Sequence, residues 1–252
     1  MNRLNKNLLA IIGSVLLVSC MGESGHMIRF SSRMAVVQEE PFKSLFVRDD
    51  SIPEGYLISS PELENRSDLK EGSCCVVEYR LDYEAEQDRG VYPVEILSCD
   101  TIRTSPLVSQ LTDTARILDN EQFVSLSFAK SLYLKGCYFL QVQVPSYQET
   151  RQDLFDFSYD PNQVLNVGEN GVRVYQLYFR SYKDQAPDTI SSSSLTSLNA
   201  FAMTDFVDRA GRVEQEKGID SLCFVINYPR SFNTDTTGLI WSATDTFSIR
   251  LK

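Results

Sequence analysis

Runs of aromatic and β-branched residues alternate with short polar clusters along most of the chain, and within the runs the apolar positions recur every second residue. The clearest run is SCCVVEYRLDY at 73–83. There Cys75, Val77, Tyr79, Leu81 and Tyr83 share one face, while Cys74, Val76, Glu78, Arg80 and Asp82 share the other. That alternation predicts an antiparallel strand with one face buried. FKSLFV at 42–47, GYLIS at 55–59 and VYPVEILSCD at 91–100 have the length and composition of further strands. EAEQDR at 84–89, followed by Gly90, is a polar loop, and Pro93 leaves a hole in its ladder that suits an edge or a bulge. Four or five short strands so closely spaced predict a small barrel.

Beyond a polar stretch at 109–122 the pattern resumes with seven candidates. These are FVSLSFAKSLYL (123–134), CYFLQVQVP (137–145), LFDFSYD (154–160), VRVYQLYFRSY (172–182), LNAFAMTDFV (198–207), SLCFVINYP (221–229) and DTFSIRLK (245–252). DPN at 160, GENG at 168 and NTDTTG at 233 punctuate them as turns. Short strands at this spacing predict an antiparallel β-sandwich. The segment 198–207 also fits a helix, and SSSS at 191–194 reads as a loop. The expected fold is all-β, a barrel over 41–108 followed by a sandwich over 109–252, joined near Ser105 to Thr114 as two units.

The N-terminus departs from this pattern. Arg3 and Lys6 precede an apolar run from Leu8 to Val18, which ends in Leu17-Val18-Ser19-Cys20. About eleven helical residues rise ~16 Å, half of a ~30 Å hydrocarbon core, so the run is a secretory signal rather than a membrane span. Its ending resembles a bacterial lipobox, in which the cysteine thiol becomes a diacylglyceryl thioether before cleavage. The resemblance makes 1–19 the signal and Cys20 the lipidated first residue of the mature chain. Residues 20–40 show no sustained period and read as a tether. Processing shortens the chain from 252 to 233 residues and, by removing Arg3 and Lys6, takes the formal charge from −10 to −12.

An acidic chain without a basic stripe is a poor partner for nucleic acid. With Cys20 committed to lipid, Cys74, Cys75, Cys99, Cys137 and Cys223 remain, an odd and widely spaced set without a C-x-x-C pair. They read as small buried hydrophobes, with one long-range disulfide left open. Histidine is the usual base for Ser and Cys nucleophiles. The sole histidine, His26, falls in the tether, so no triad and no histidine-based zinc site is expected. Asp153, Asp156 and Asp160 lack the D-x-D-x-D-G calcium spacing and read as solvent-facing acids, and Asp49 and Asp50 read as turn residues. No cofactor, no metal and no catalysis are expected.

The order of parts, together with the blocks LKEGSCCVVEYRLDYE, VYPVEILSCDTI and DNEQFVSLSFAKSL with GCYFLQVQV, resembles the NigD-like lipoproteins of Bacteroidetes-type bacteria. The resemblance implies an N-terminal OB-like domain, a C-terminal β-sandwich and a lipid-anchored place at the cell envelope. An outer-membrane address follows from it, with the periplasmic and surface sides both open, as does an immunity-like protective role. An OB-like barrel points to oligonucleotides or oligosaccharides, and the charge disfavours the former. Oligosaccharides need exposed aromatics, for which Tyr79, Tyr83 and Tyr92 in the barrel and Tyr175, Tyr178 and Tyr182 in the sandwich are available. Gln176, Tyr178, Arg180 and Tyr182 share one strand face rich in the residue types of interaction hot spots, which makes it the expected binding face. The preferred reading is a non-catalytic binding lipoprotein whose partner is an envelope protein or glycan. The alternative is a fimbrillin-like appendage subunit, with Arg29 or Arg33 as a processing site that frees a groove for strand donation.

Overall fold

Five strands close on themselves: β1 (Met27–Gln38), β2 (Ser44–Val47), β3 (Tyr56–Ser59), β4 (Cys74–Asp82) and β5 (Val91–Ile102). Their order is β1-β2-β3-β5-β4, with β4 pairing back onto β1, and only β3 and β5 run parallel. A short helix, α1 (Pro61–Glu64), lies between β3 and β4. This is the OB arrangement of a five-stranded barrel. The computed structural model describes residues 27–251 apart from 51, 112, 148–152, 168–170 and 185–189. Cys20, His26 and the signal segment lie outside the described residues.

The alternation read in residues 73–83 holds. Cys75, Val77, Tyr79 and Leu81 all point into the barrel and are fully buried. The tether is shorter than expected, because Met27–Gln38 forms a barrel strand, pairing with β4 over 27–36 and with β2 over 35–38. A bulge hides this strand from a period-two reading. The register against β4 shifts between Phe30 and Arg33, where Ser32 has φ 53°, so the inward phase is reset. Phe30 before the bulge and Ala35 and Val37 after it fill the same interior. Arg29 and Arg33, the expected processing residues, therefore sit within β1, and a cut at Arg33 would sever a strand of the closed barrel.

The rest of the chain contributes β6 (Thr104–Pro106), β7 (Glu121–Gln122), β8 (Ser125–Leu134), β9 (Cys137–Tyr147), β10 (Asp153–Tyr159) and β11 (Asn166–Val167). It continues with β12 (Arg173–Lys183), β13 (Ile190–Ala202), the helix α2 (Thr204–Gln215), β14 (Ser221–Phe232), β15 (Leu239–Ala243) and β16 (Phe247–Arg250). One sheet runs β10-β12-β14-β15, with β7 and β11 also on β12 and β16 on β14; the other runs β6-β13-β9-β8. The pairs β12–β14 and β6–β13 are parallel, so the sandwich is mixed rather than antiparallel throughout. SSSS at 191–194 lies inside β13, not in a loop, and 198–207 is divided, strand to Ala202 and helix from Thr204. Only Arg103 separates β5 from β6, so the second half begins at Thr104 rather than 109.

Phe157 of β10, Phe179 of β12 and Phe201 of β13 meet with ring centroids 5.0–5.8 Å apart and join the two sheets. Phe206 of α2 packs on Tyr159, Tyr175 and Phe224 and closes one end of that core. The start of β9, Cys137 to Leu140, is buried on both faces. Tyr138, Leu140, Val142 and Val144 look into the sandwich, whereas Cys137 and Phe139 look outward and pack with Val36 and Cys74 of the barrel. The barrel and sandwich thus share an apolar seam, and the unbroken apolar run CYFL at the start of β9 follows from it.

Candidate functional site

The expected binding face on β12 is largely occupied by the protein itself. Arg180 is only 1 % exposed and forks onto Glu121, with Nε 2.8 Å from Oε1 and Nη2 2.7 Å from Oε2. Its guanidinium also donates to the carbonyls of Asp113 (3.1 Å) and Arg116 (2.6 Å). The segment 113–122 is thereby fastened over the strand, and Arg180 is taken out of any exposed surface. Gln176 is held by Asn227 Nδ2 at 3.0 Å, and its backbone N–H donates to Gln163. Tyr178 lies edge-on to Trp241, and Tyr182 is half-buried. Tyr175 is buried and donates to Glu214 at 2.8 Å.

At the opposite half of the molecule, one end of the barrel gathers the aromatics that the sequence offers there. The antiparallel pairings bring the start of β1, the ends of β2 and β4 and the start of β3 together, and the parallel β3–β5 pair adds the start of β5. Tyr79 and Tyr83 come from β4 and just beyond it, Tyr92 from β5, Tyr56 from β3 and Phe30 from β1. Phe30 stacks on Tyr79 with centroids 5.0 Å apart, Tyr56 meets Tyr92 at 5.5 Å, and Tyr83 meets Tyr92 at 6.2 Å. Beneath the rings, the Tyr56 hydroxyl donates to Asp49 Oδ2 at 2.6 Å and lies 2.6 Å from the Tyr79 hydroxyl. Asp49 is a turn residue as expected, accepting from the Ile52 N–H at 2.8 Å, and it is also the acceptor that anchors this hydroxyl chain. Arg33 places its guanidinium 5.4 Å from the Phe30 ring centre, and its Nε is buried without a hydrogen-bond partner. Tyr83 and Tyr92 are half-buried and form the rim, while Tyr56 and Tyr79 are buried below.

Burial, reinforced by the hydrogen bonds to Asp49 and Tyr79, raises the Tyr56 pKa far above its ordinary value. Burial also pushes Tyr79 up to about 12. Both effects favour the neutral phenol in the folded state, so their stabilisation is complete below pH 10, where unfolded tyrosine is also neutral, and is lost as pH rises beyond it. The urea midpoint should fall between pH 9 and pH 11. Tyr79→Phe should make that fall shallower; an unchanged slope would remove Tyr79 from the linkage.

A cleft of about 130 Å³ lies between α2 and the β10–β12 side of the sandwich. Tyr159, Arg173 and Arg209 line it, with the buried Glu214 paired to Arg173 at 3.5 Å nearby. The three acids of DLFDFSYD do not converge. Asp153 pairs with Lys183 at 2.9 Å, Asp156 stands opposite Arg180 in register, and Asp160 caps the following turn through the Asn162 N–H. Among the described residues no group of three His, Cys, Asp or Glu side chains is placed to hold a metal. Sequence reasoning reached Tyr79, Tyr83 and Tyr92 but missed Phe30, Tyr56 and Arg33. The missing signal was the barrel order, which alone brings these strand ends together.

The sequence matches no curated protein. Among solved structures, an uncharacterized protein of Parabacteroides merdae is 19 % identical, with 88 % of this chain and 99 % of that one covered at a TM-score of 0.72. A Bacteroides fragilis protein provisionally named a lipoprotein is 10 % identical, with 89 % and 99 % covered at 0.52. A NigD-like immunity protein of Bacteroides caccae is 11 % identical, with 91 % and 99 % covered at 0.45. The first two likenesses establish that the barrel-plus-sandwich fold recurs. Residues 28–95, most of the barrel, match the family described as the lipoprotein OB domain.

Proposed function

We propose that the protein is a lipid-anchored, non-catalytic lipoprotein of the cell envelope that binds a glycan at the tyrosine-lined end of its barrel. The observation that carries this reading is the convergence of half-exposed Tyr83 and Tyr92 with Arg33 over a buried Asp49–Tyr56–Tyr79 network. Aromatic rings offer apolar faces to the C–H faces of a sugar ring, and the half-buried Arg33 side chain sets a cation beside them. The buried network keeps the rings from reorienting, which limits the entropy lost on binding. Support for the envelope address comes from the LVSC ending at Cys20 and from the barrel's match to a lipoprotein family. Six residues separate Cys20 from Met27, and the seven steps between them reach at most about 25 Å, so acylation would hold the tyrosine end, where β1 starts, toward the membrane.

The test uses the full chain carrying Cys20→Ser, applied to an array of neutral and acidic oligosaccharides. A glycan should be retained, and Tyr83→Ala and Tyr92→Ala should each weaken it about tenfold, ~1.4 kcal/mol, while melting stays within a few degrees. In cells, the same Cys20→Ser change should end incorporation of a palmitate analogue. Retention of no glycan, or affinity untouched by both tyrosine variants, overturns the binding reading; undiminished labelling overturns the anchor.

A further inference from the structure

Cys74 and Cys75, adjacent in sequence, point to opposite faces of β4, and each meets a different cysteine. Cys74 lies in the seam between barrel and sandwich, where Cys137 enters from the first residue of β9. The two thiols donate to the same carbonyl oxygen, that of Gly72, at 3.9 Å and 3.8 Å, which sets their sulfurs side by side. Both are buried among apolar side chains. We propose that Cys74 and Cys137 are a cross-linking site, oxidised to a disulfide that fastens the barrel to the sandwich.

The chemistry is thiol–disulfide exchange with a small or protein disulfide as the oxidant. The Cys74 thiolate attacks one sulfur of that disulfide, forming a mixed disulfide and expelling the other sulfur as a thiolate. Cys137 then loses its proton and attacks the Cys74 sulfur, expelling the second thiolate. Two electrons and two protons pass from the protein thiols to the oxidant, which leaves as two thiols. Because the seam is closed in the folded protein, the oxidant gains access before barrel and sandwich dock. A secreted chain meets disulfide oxidants during that interval.

Cys75 and Cys99 also touch, inside the barrel. Cys75 stands opposite Thr101, however, and Cys99 opposite Val77, which makes the pair diagonal. Diagonal Cα atoms lie ~7–8 Å apart, beyond the ~6.8 Å that a disulfide ordinarily spans. This pair stays reduced. Cys223, beside Ser248 Oγ at 3.7 Å, lies outside both pairs.

The test refolds the reduced, unfolded full chain, carrying Cys20→Ser, in oxidised glutathione. The product is quenched in acid, alkylated, digested with trypsin and read by mass spectrometry. A cross-link should join the peptides that begin at Glu71 and Gly136, with fragmentation assigning it to Cys74 rather than Cys75, and the oxidised protein should melt at least 5 °C above the reduced one. Cys137→Ser should abolish that difference, and Cys99→Ser should keep it. Five alkylated thiols after refolding, or a cross-link through Cys99 or Cys223 instead, overturns the proposal.

Discussion

Arg180→Ala should cost about 3–5 kcal/mol, the loss expected when one partner of a buried ion pair is removed and its counter-charge stays behind. The residue left is Glu121, whose side chain is completely enclosed and loses both guanidinium bonds at once. The carbonyls of Asp113 and Arg116 lose their donor as well, so the segment crossing β12 is released along with the charge. At ~2–4 °C per kcal/mol for a chain of this size, the melting temperature should fall by roughly 10 °C. Replacing both Arg180 and Glu121 with methionine should recover much of the loss, because no buried charge then remains. Urea titration of the wild type and the two variants checks this. A single-variant loss below ~1 kcal/mol would mean that solvent reaches Glu121 and that the segment is not fastened there.

This pair marks a limit of what the chain discloses before folding. Read in β12 alone, Gln176, Tyr178, Arg180 and Tyr182 form a polar face rich in hot-spot residue types. The partner that covers Arg180 is a two-residue strand some 60 positions earlier, too short to leave any periodic signature. Strands with one buried face were legible, as in β4, since burial there follows the pleat. Strand β1 was not, because the bulge at Ser32 changes the inward phase midway. Helix α2 carries a helical signal in Phe206, Ala210 and Val213, yet it follows β13 after a single residue, and its buried Glu214 reads as polar until Tyr175 and Arg173 are seen beside it.

The candidate site divides in the same way. Tyr79, Tyr83 and Tyr92 stand out as aromatics in or beside strands, and local reading finds them. Asp49 is recognisable as a turn residue because its carboxylate does cap the turn. Its second oxygen, however, accepts from Tyr56, which a local reading cannot anticipate. Arg33 shows a polar, tether-like character in sequence, and only closure of β1 against β4 sets it over Phe30. Residues whose role lies within one element were therefore readable, and residues whose role depends on the closing pair of the barrel were not.

Phe139→Ala should destabilise the whole protein rather than one half, by about 3–5 kcal/mol, as expected for a fully buried phenylalanine truncated in a packed site. Phe139 is wholly unexposed and sits in the seam with Val36, Cys74, Leu134 and Ala200, so the cavity would open between barrel and sandwich. Its strand, β9, is at the same time a central strand of the sandwich, paired with β8 and β13. Damage to the seam therefore reaches both cores. The chain offers little slack to separate them, since β6 follows β5 after Arg103 alone and Val108 is bridged to Ser158. Wild type and variant should each unfold in one cooperative transition, with the variant's midpoint lower, and limited proteolysis should not cut selectively between Ser105 and Thr114. Two resolved transitions, with Phe139→Ala moving only the sandwich's, together with stable fragments from a cut in that stretch, would show instead that the halves fold independently and that the seam forms only after each is complete.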